Sequence, residues 1–211
     1  MLVPILFCLL LFAILRLIWI LKHLGSGLNL SGQKVKVLAI AGSGGHTAEL
    51  LRLLSALSSN YRPICYVIAD TDKMSANKIQ QFETDRKVDE NDEGYCIVTI
   101  PRSREVAQPW LSSVWTTLVA TVSSFSIVWN SNPDLLLCNG PGTCIPLCFI
   151  AFLYKFLGIG HCQIIFAESI CRVKSLSLSG LILYHFCDKM FVQWKELHEK
   201  YPKSMYVGRI V

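Results

Sequence analysis

The sequence predicts an α/β fold: one N-terminal transmembrane helix followed by a Rossmann-like domain built on a parallel sheet. Three observations carry this. Leu2 to Leu21 is apolar apart from Arg16, later segments read as near-continuous apolar strands, and helix-length patterns separate those strands. Strands that lack polar alternation are buried on both faces, and a doubly wound sheet buries them that way.

The first run spans the roughly 30 Å hydrocarbon core at about 1.5 Å per helical residue. Arg16 lies near its C-terminal end, from which its long side chain can snorkel to head groups. A cleaved signal peptide is the competing reading. No positive residue precedes the apolar run and the run is long for that role, but Gly25-Ser26-Gly27 leaves a small-residue cleavage site open. Arg16, Lys22, Lys34 and Lys36 sit within or just after the span, so the positive-inside rule puts the C-terminal domain in the cytosol. The sequon Asn29-Leu30-Ser31 should then carry no glycan. The expected division is an anchor over 1–23, a short flexible linker over 24–33 and a folded domain over 34–211.

Within the domain, Lys34 to Ala41 is a first strand that the loop Gly42-Ser43-Gly44-Gly45-His46 stops. Thr47 to Leu57 places leucines on one helical face, with His46 or Thr47 near its N-cap. Pro63 to Ala69 is a second strand, Met74 to Arg86 an exposed helix and Lys87 to Gly94 a charged loop. Tyr95 to Ile100 is a third strand, closed by Pro101 and a loop to Pro109. Ser112 to Asn130 is a long, mostly apolar helix stopped by Asn132-Pro133. Asp134 to Cys138 is a fourth strand, Cys144 to Leu157 an apolar helix and Gln163 to Ala167 a fifth strand ending on Glu168-Ser169. Ser177 to Phe186 (helix), Lys189 to Gln193 (strand), Trp194 to Tyr201 (helix) and a last strand beginning at Tyr206-Val207 complete the pattern. The two apolar helices are expected to be core helices, with bilayer contact as the lesser alternative and a second span as the least favoured.

A chain of 211 residues holds one average domain plus an extra segment. Apolar residues make up 52% and charged residues 17%, against about 25% charged in ordinary soluble domains. The net charge of +5, with no basic cluster interleaved with aromatics, argues against nucleic acid. It suits anionic head groups or a phosphorylated ligand. The nine cysteines are odd in number, form no Cys-x-x-Cys and sit mostly in apolar runs, as buried free thiols in a reducing compartment would. Cys144-x-x-x-Cys148 is the nearest approach to a metal pattern and has no supporting histidine, so neither metal nor cofactor is expected.

In doubly wound sheets ligands bind beyond the carboxyl ends of the strands. Three such loops are distinctive here. Gly42, Ser43, Gly44 and Gly45 allow close backbone approach to an oxyanion at a helix N-terminus, although the loop is neither a dinucleotide fingerprint nor a Walker A motif. A plain tight turn is the competing reading. His46 can serve as a base near neutral pH, or be a structural histidine at a helix start. Asn139-Gly140-Pro141-Gly142-Thr143 repeats the logic, with Thr143 placed to cap the next helix; turn plus cap and ligand contact both remain open. Glu168 either pairs with Arg172 four residues on, or binds a sugar hydroxyl or holds His46.

The apolar anchor, Ala39-Ile-Ala-Gly-Ser-Gly-Gly-His-Thr-Ala-Glu49, Asn139-Gly-Pro-Gly-Thr143, Phe166-Ala-Glu-Ser-Ile-Cys-Arg-Val173 and Asp188-Lys-Met-Phe-Val-Gln-Trp194 together resemble one family. It is the membrane-anchor subunit of the two-subunit UDP-N-acetylglucosamine transferase of asparagine-linked glycosylation. The resemblance covers nearly the whole chain. It implies the acceptor-side, N-terminal half of a split GT-B fold at the endoplasmic reticulum membrane. A soluble catalytic partner subunit would bind the UDP-sugar. The pair would add the second N-acetylglucosamine to dolichyl-diphosphate-linked N-acetylglucosamine on the cytosolic face. The resemblance further implies that His46 is the base at the acceptor hydroxyl, as suggested for the related bacterial transferase that glycosylates lipid I. Gly42 to Gly45, Asn139, Gly140, Gly142 and Thr143 would hold the acceptor diphosphate, and Glu168 is the second expected catalytic residue beside His46. The apolar C-terminus, Tyr206 to Val211, is expected to be buried by the partner. Two other readings stay open: a membrane-recruitment scaffold with no catalytic group, and a self-sufficient nucleotide-sugar or NAD enzyme. The missing fingerprint and the missing second domain argue against the latter.

Overall fold

The structure is a computed structural model that describes residues 2–26, 32–86, 94–103 and 108–209. The sequon at Asn29, most of the charged loop after Arg86 and the last two residues lie outside this set.

The chain runs α1 (Leu2–Lys22), β1 (Val37–Ile40), α2 (Gly45–Ser55), β2 (Ile64–Ala69), α3 (Lys73–Arg86), β3 (Tyr95–Ile100), α4 (Trp110–Ser131), β4 (Leu135–Asn139), α5 (Cys144–Leu157), β5 (Gln163–Ala167), α6 (Leu178–Leu183), β6 (Lys189–Val192), α7 (Lys195–Lys200) and β7 (Met205–Tyr206). Every expected strand and helix is present, with ends displaced by a few residues. The strands form one sheet in the order β3-β2-β1-β4-β5-β6-β7, and each neighbouring pair is parallel.

Alternation along the strands sorts the core into two layers. Leu38 and Ile40 join Leu136, Cys138, Ile164 and Phe166 under Leu147, Cys148 and Ile150 of α5. Val37 and Ala39 point the other way, with Tyr66, Ile68 and Leu137, against Leu50 and Leu54 of α2 and Ile79 of α3. Both faces are covered, which is why β1 and β4 are buried along their whole lengths. The edge strands β3 and β7 are the exceptions: β3 stays half-exposed and β7 exposed. Strand order reverses between β1 and β4, so the loops that follow these two strands flank a crevice.

α5 is the core helix expected, but α4 departs from that reading. Ala120, Ser124, Ile127 and Val128 face the core, whereas Val114, Trp115, Val122 and Trp129 stand exposed, Val122 at 70%. One stripe suffices to cover the sheet; outside it Trp129 meets only the edge of the Tyr154 ring of α5, and most of the apolar surface of α4 stays exposed among the described residues.

Arg16 also departs from expectation. Its Nε donates to Phe156 O at 3.2 Å and its Nη2 to Lys155 O at 3.3 Å, so its guanidinium caps the carbonyl end of α5. Below it Ile20 is buried and Gly25 N donates to Asp188 Oδ1 at 3.4 Å. Asp188 Oδ2 in turn accepts from Lys155 Nζ at 2.6 Å and Ile164 N at 2.8 Å. The C-terminal end of α1 is therefore seated on the domain, and the expected linker is tied down at Gly25.

Candidate functional site

The three loops singled out by residue type meet at one cavity of about 350 Å³, which Gly45 and His46, Gly140, and Glu168 and Ser169 line from three sides. Each reaches it because parallel strands end on the same edge of the sheet.

The first loop turns at Gly44, with φ +66, and α2 begins at Gly45, so Gly44 is the N-cap in place of the expected His46 or Thr47. Ser43, Gly44 and Gly45 are exposed, and the start of α2 is open to an anion. Gly42 is buried, and a Cβ there would lie 2.7 Å from Pro141 Cβ and 2.9 Å from His46 Cβ. It is the point where the first and second loops touch. Thr47 closes the loop by a hydrogen bond from its hydroxyl to Gly42 O. Thr47 Oγ1 also lies 2.7 Å from Ser75 Oγ, which donates to Asp72 Oδ2 at 2.6 Å. Thr47, expected only as a cap, thus joins Ser75 and Asp72, which no sequence argument singled out, in pinning the loop to the start of α3.

His46 is half-buried, and Nδ1 lies 2.9 Å from Asn139 Oδ1. Asn139 is fully buried and its Nδ2 donates to Ala167 O at 3.3 Å, which fixes the amide orientation. Oδ1 can only accept, so Nδ1 of the neutral ring carries the proton and Nε2 keeps its lone pair. Asn139, read from the sequence as a diphosphate contact, instead holds the histidine. Gly140, at φ +70, admits the ring: a Cβ there would sit 2.6 Å from His46 Cε1. Gly142 is exposed, whereas Thr143 is buried and its side chain makes no cap to α5. Of the expected diphosphate set, Ser43, Gly44, Gly45 and Gly142 are open to a ligand, Gly140 is half-open, and Gly42, Asn139 and Thr143 are framework.

Glu168 is buried and does not reach His46. Its Oε1 accepts from Ser169 N at 3.1 Å, and its Oε2 from Ser177 N at 2.8 Å and Ser177 Oγ at 3.0 Å. Burial raises its carboxyl above the ordinary 4.5, while those donors and the charge of Arg172 pull it back down. The helical ion pair with Arg172 is not formed: the chain turns at Ile170 and Cys171, and Arg172 stays exposed on the cavity wall.

Glu49 is a site residue that sequence reasoning passed over. It lines the cavity and accepts from Ser169 Oγ at 2.9 Å. The available signal was its place three residues after His46, on the same face of α2.

A separate set of side chains can be weighed as a metal site. The thiols of Cys138, Cys144 and Cys148 lie within 4.8 Å of one another in the core. Burial holds Cys138 and Cys148 well above the ordinary thiol range, against the thiolate form that a metal requires, whereas, despite the same burial, hydrogen bonds from those two thiols bring Cys144 down to about 5.

Residues 37–210 match the family described as "Oligosaccharide biosynthesis protein Alg14 like". The chain belongs to that family. Among Alg14-like relatives, the UDP-N-acetylglucosamine transferase subunit ALG14 of Homo sapiens is 55% identical over 183 residues, covering 85% of this chain and 84% of the relative. The subunit of the same name from Schizosaccharomyces pombe is 42% identical over 176 residues, covering 82% and 81%. Members of the family are thus subunits of a UDP-N-acetylglucosamine transferase in oligosaccharide biosynthesis, which implies a partner subunit.

Two solved structures share the fold. MurG of Acinetobacter baumannii has a TM-score of 0.54 at 16% identity over 76% of this chain. A protein described as a UDP-N-acetylglucosamine 2-epimerase, from Listeria monocytogenes, has a TM-score of 0.56 at 15% identity over 80%. The chain spans 42% of either solved chain, as half of a GT-B fold should. At these identities the likeness is one of fold alone.

Proposed function

We propose that this chain is the membrane-anchored, acceptor-side half of a two-subunit UDP-N-acetylglucosamine transferase, with His46 as its general base. The observation that carries the reading is the orientation of His46: its lone pair at Nε2 is left for the cavity by the bond from Nδ1 to Asn139. An inverting transfer needs such a group beside the acceptor hydroxyl.

The acceptor is dolichyl-diphosphate-linked N-acetylglucosamine, and the product carries the second N-acetylglucosamine. Its diphosphate lies against the exposed backbone of Ser43, Gly44, Gly45 and Gly142. Beside Gly142 an apolar groove of about 310 Å³ between α4 and α6, lined by Val114, Leu118 and Ile182, gives the isoprenoid a path. The exposed face of α4 rests on the bilayer in the same arrangement. Residues 1–23 form the anchor and 34–211 the domain, at the cytosolic face of the endoplasmic reticulum. Support for that orientation is the cluster of Arg16, Lys22, Lys34 and Lys36 around the end of the span. A soluble partner binds the UDP-sugar and covers the C-terminal edge, where Met205, Tyr206 and Val207 are exposed.

The test is His46→Ala in the reconstituted pair. Turnover is expected to fall by about 10²–10⁴-fold with assembly intact, the usual contribution of a positioned base. Unchanged turnover would replace this reading with that of a recruitment scaffold.

A further inference from the structure

Glu49 presents one carboxylate oxygen that the fold leaves without a partner. The side chain is 9% exposed; Oε1 accepts from Ser169 Oγ at 2.9 Å, and among the described residues Oε2 has no hydrogen-bond donor. A buried carboxylate oxygen without a donor is costly and rare in a folded protein. Glu49 lines the same cavity as His46, which precedes it by three residues on α2. Ser169 holds the carboxylate in place, and is itself braced as an acceptor from Cys171 N at 3.4 Å. The carboxylate is therefore oriented, buried and half-satisfied beside the candidate base.

We infer that Glu49 Oε2 recognises the acceptor sugar, accepting a hydrogen bond from a neutral donor on its ring, a hydroxyl or the acetamido N–H. The inference rests on the acceptor-side reading above and adds the group that selects the sugar. A diphosphate is disfavoured at this position, because its charge would face the Glu49 carboxylate. The exposed glycine backbone takes the diphosphate, and the cavity between His46 and Glu49 takes the ring. A site that pairs a buried acceptor with a substrate donor also rejects analogues lacking that donor, since the oxygen is then left unpaired.

The experiment uses the full chain assembled with its partner subunit, and isoprenyl-diphosphate-linked N-acetylglucosamine as acceptor. Glu49→Gln keeps the length of the side chain and an oxygen for Ser169, but turns an amide N–H toward the sugar donor. The expected result is an acceptor KM raised by about tenfold or more, with the UDP-sugar KM unchanged. A series of acceptors, each lacking one hydroxyl or the acetamido group, then reads the contact directly. The analogue missing the partnered donor should react poorly with the wild type and lose nothing further with Glu49→Gln. Penalties that add for every analogue, or equal losses in both KM values and in Tm, would mean that Oε2 holds only a water or the fold. Either result overturns the inference. If Glu49→Gln does not assemble, Glu49→Asp, one methylene shorter and still charged, must show the same KM split or the inference fails. A wild-type pair that does not transfer to this acceptor at all would instead refute the acceptor-side reading itself.

Discussion

His46 Nδ1 and Asn139 Oδ1 stand 2.9 Å apart, across 93 residues of sequence. The contact joins the first turn of α2, just past the loop after β1, to the end of β4, on the two sides of the point where strand order reverses. It makes the imidazole a defined tautomer instead of a freely turning ring. Because Asn139 is anchored to Ala167 O, three neighbouring strands together set the direction of one lone pair.

Replacing Asn139 with Leu should therefore lower kcat while leaving His46 in place. The expected loss is on the order of 10–10²-fold, less than that of removing His46. Asn139→Asp would set a carboxylate against Nδ1–H and favour the protonated ring. The acid limb of the kcat/KM profile should then move to higher pH by about one unit or more. A profile identical to the wild type would show that the pairing has no bearing on the base.

Gly140→Ala tests the space around the ring. The new methyl meets His46 Cε1 at 2.6 Å, and the backbone must stay at φ +70. The backbone strain is about 1–2 kcal/mol, and displacement of the ring should reduce turnover by up to about 10²-fold. Thermal unfolding of the assembled pair separates the two effects. Gly44→Ala has open space for its methyl but the same positive φ, so it should show the strain without the displacement of His46.

Glu168 gives a pH-dependent prediction. Its carboxyl is raised in the folded protein, so its contribution to stability is fully present below the unfolded value near 4.5 and is lost as pH rises through the folded value. Glu168→Gln loses one acceptor at every pH but removes that slope. The difference in Tm between wild type and Glu168→Gln should accordingly be largest at acid pH and shrink toward neutral pH. A gap that widens with pH would reverse the assignment.

Cys171 is exposed and lines the cavity, whereas burial pushes Cys162 and Cys187 up to about 12. A maleimide at neutral pH should modify Cys171 and spare the core thiols. Modification should block transfer in the assembled pair, and Cys171→Ser should make transfer resistant. Inhibition that persists in Cys171→Ser would place the sensitive thiol elsewhere.

Local patterns already marked the loops of the site. Gly42 to Gly45, Asn139 to Thr143 and Glu168 each follow an apolar strand and precede a helix, and a parallel sheet gathers all such loops on one edge. What each side chain does there was not legible. Glu168 is spent on Ser169 and Ser177, Asn139 on His46, and Glu49 reaches Ser169 across 120 residues. α4 shows the same limit in the fold: periodicity reports which residues are apolar, but not whether a neighbour covers them.

Taken by itself, the sequence determined the order of strands and helices, the apolar N-terminal helix and the places where a ligand could meet backbone. Hydrophobic periodicity and glycine act over a few residues, so those features can be read locally. The tertiary structure alone decided that Arg16 caps α5, that Asn139 orients His46 and that Glu49 keeps one oxygen without a donor among the described residues. Hydrogen bonds act over about 3 Å between atoms that only packing brings together, and no spacing along the chain encodes them.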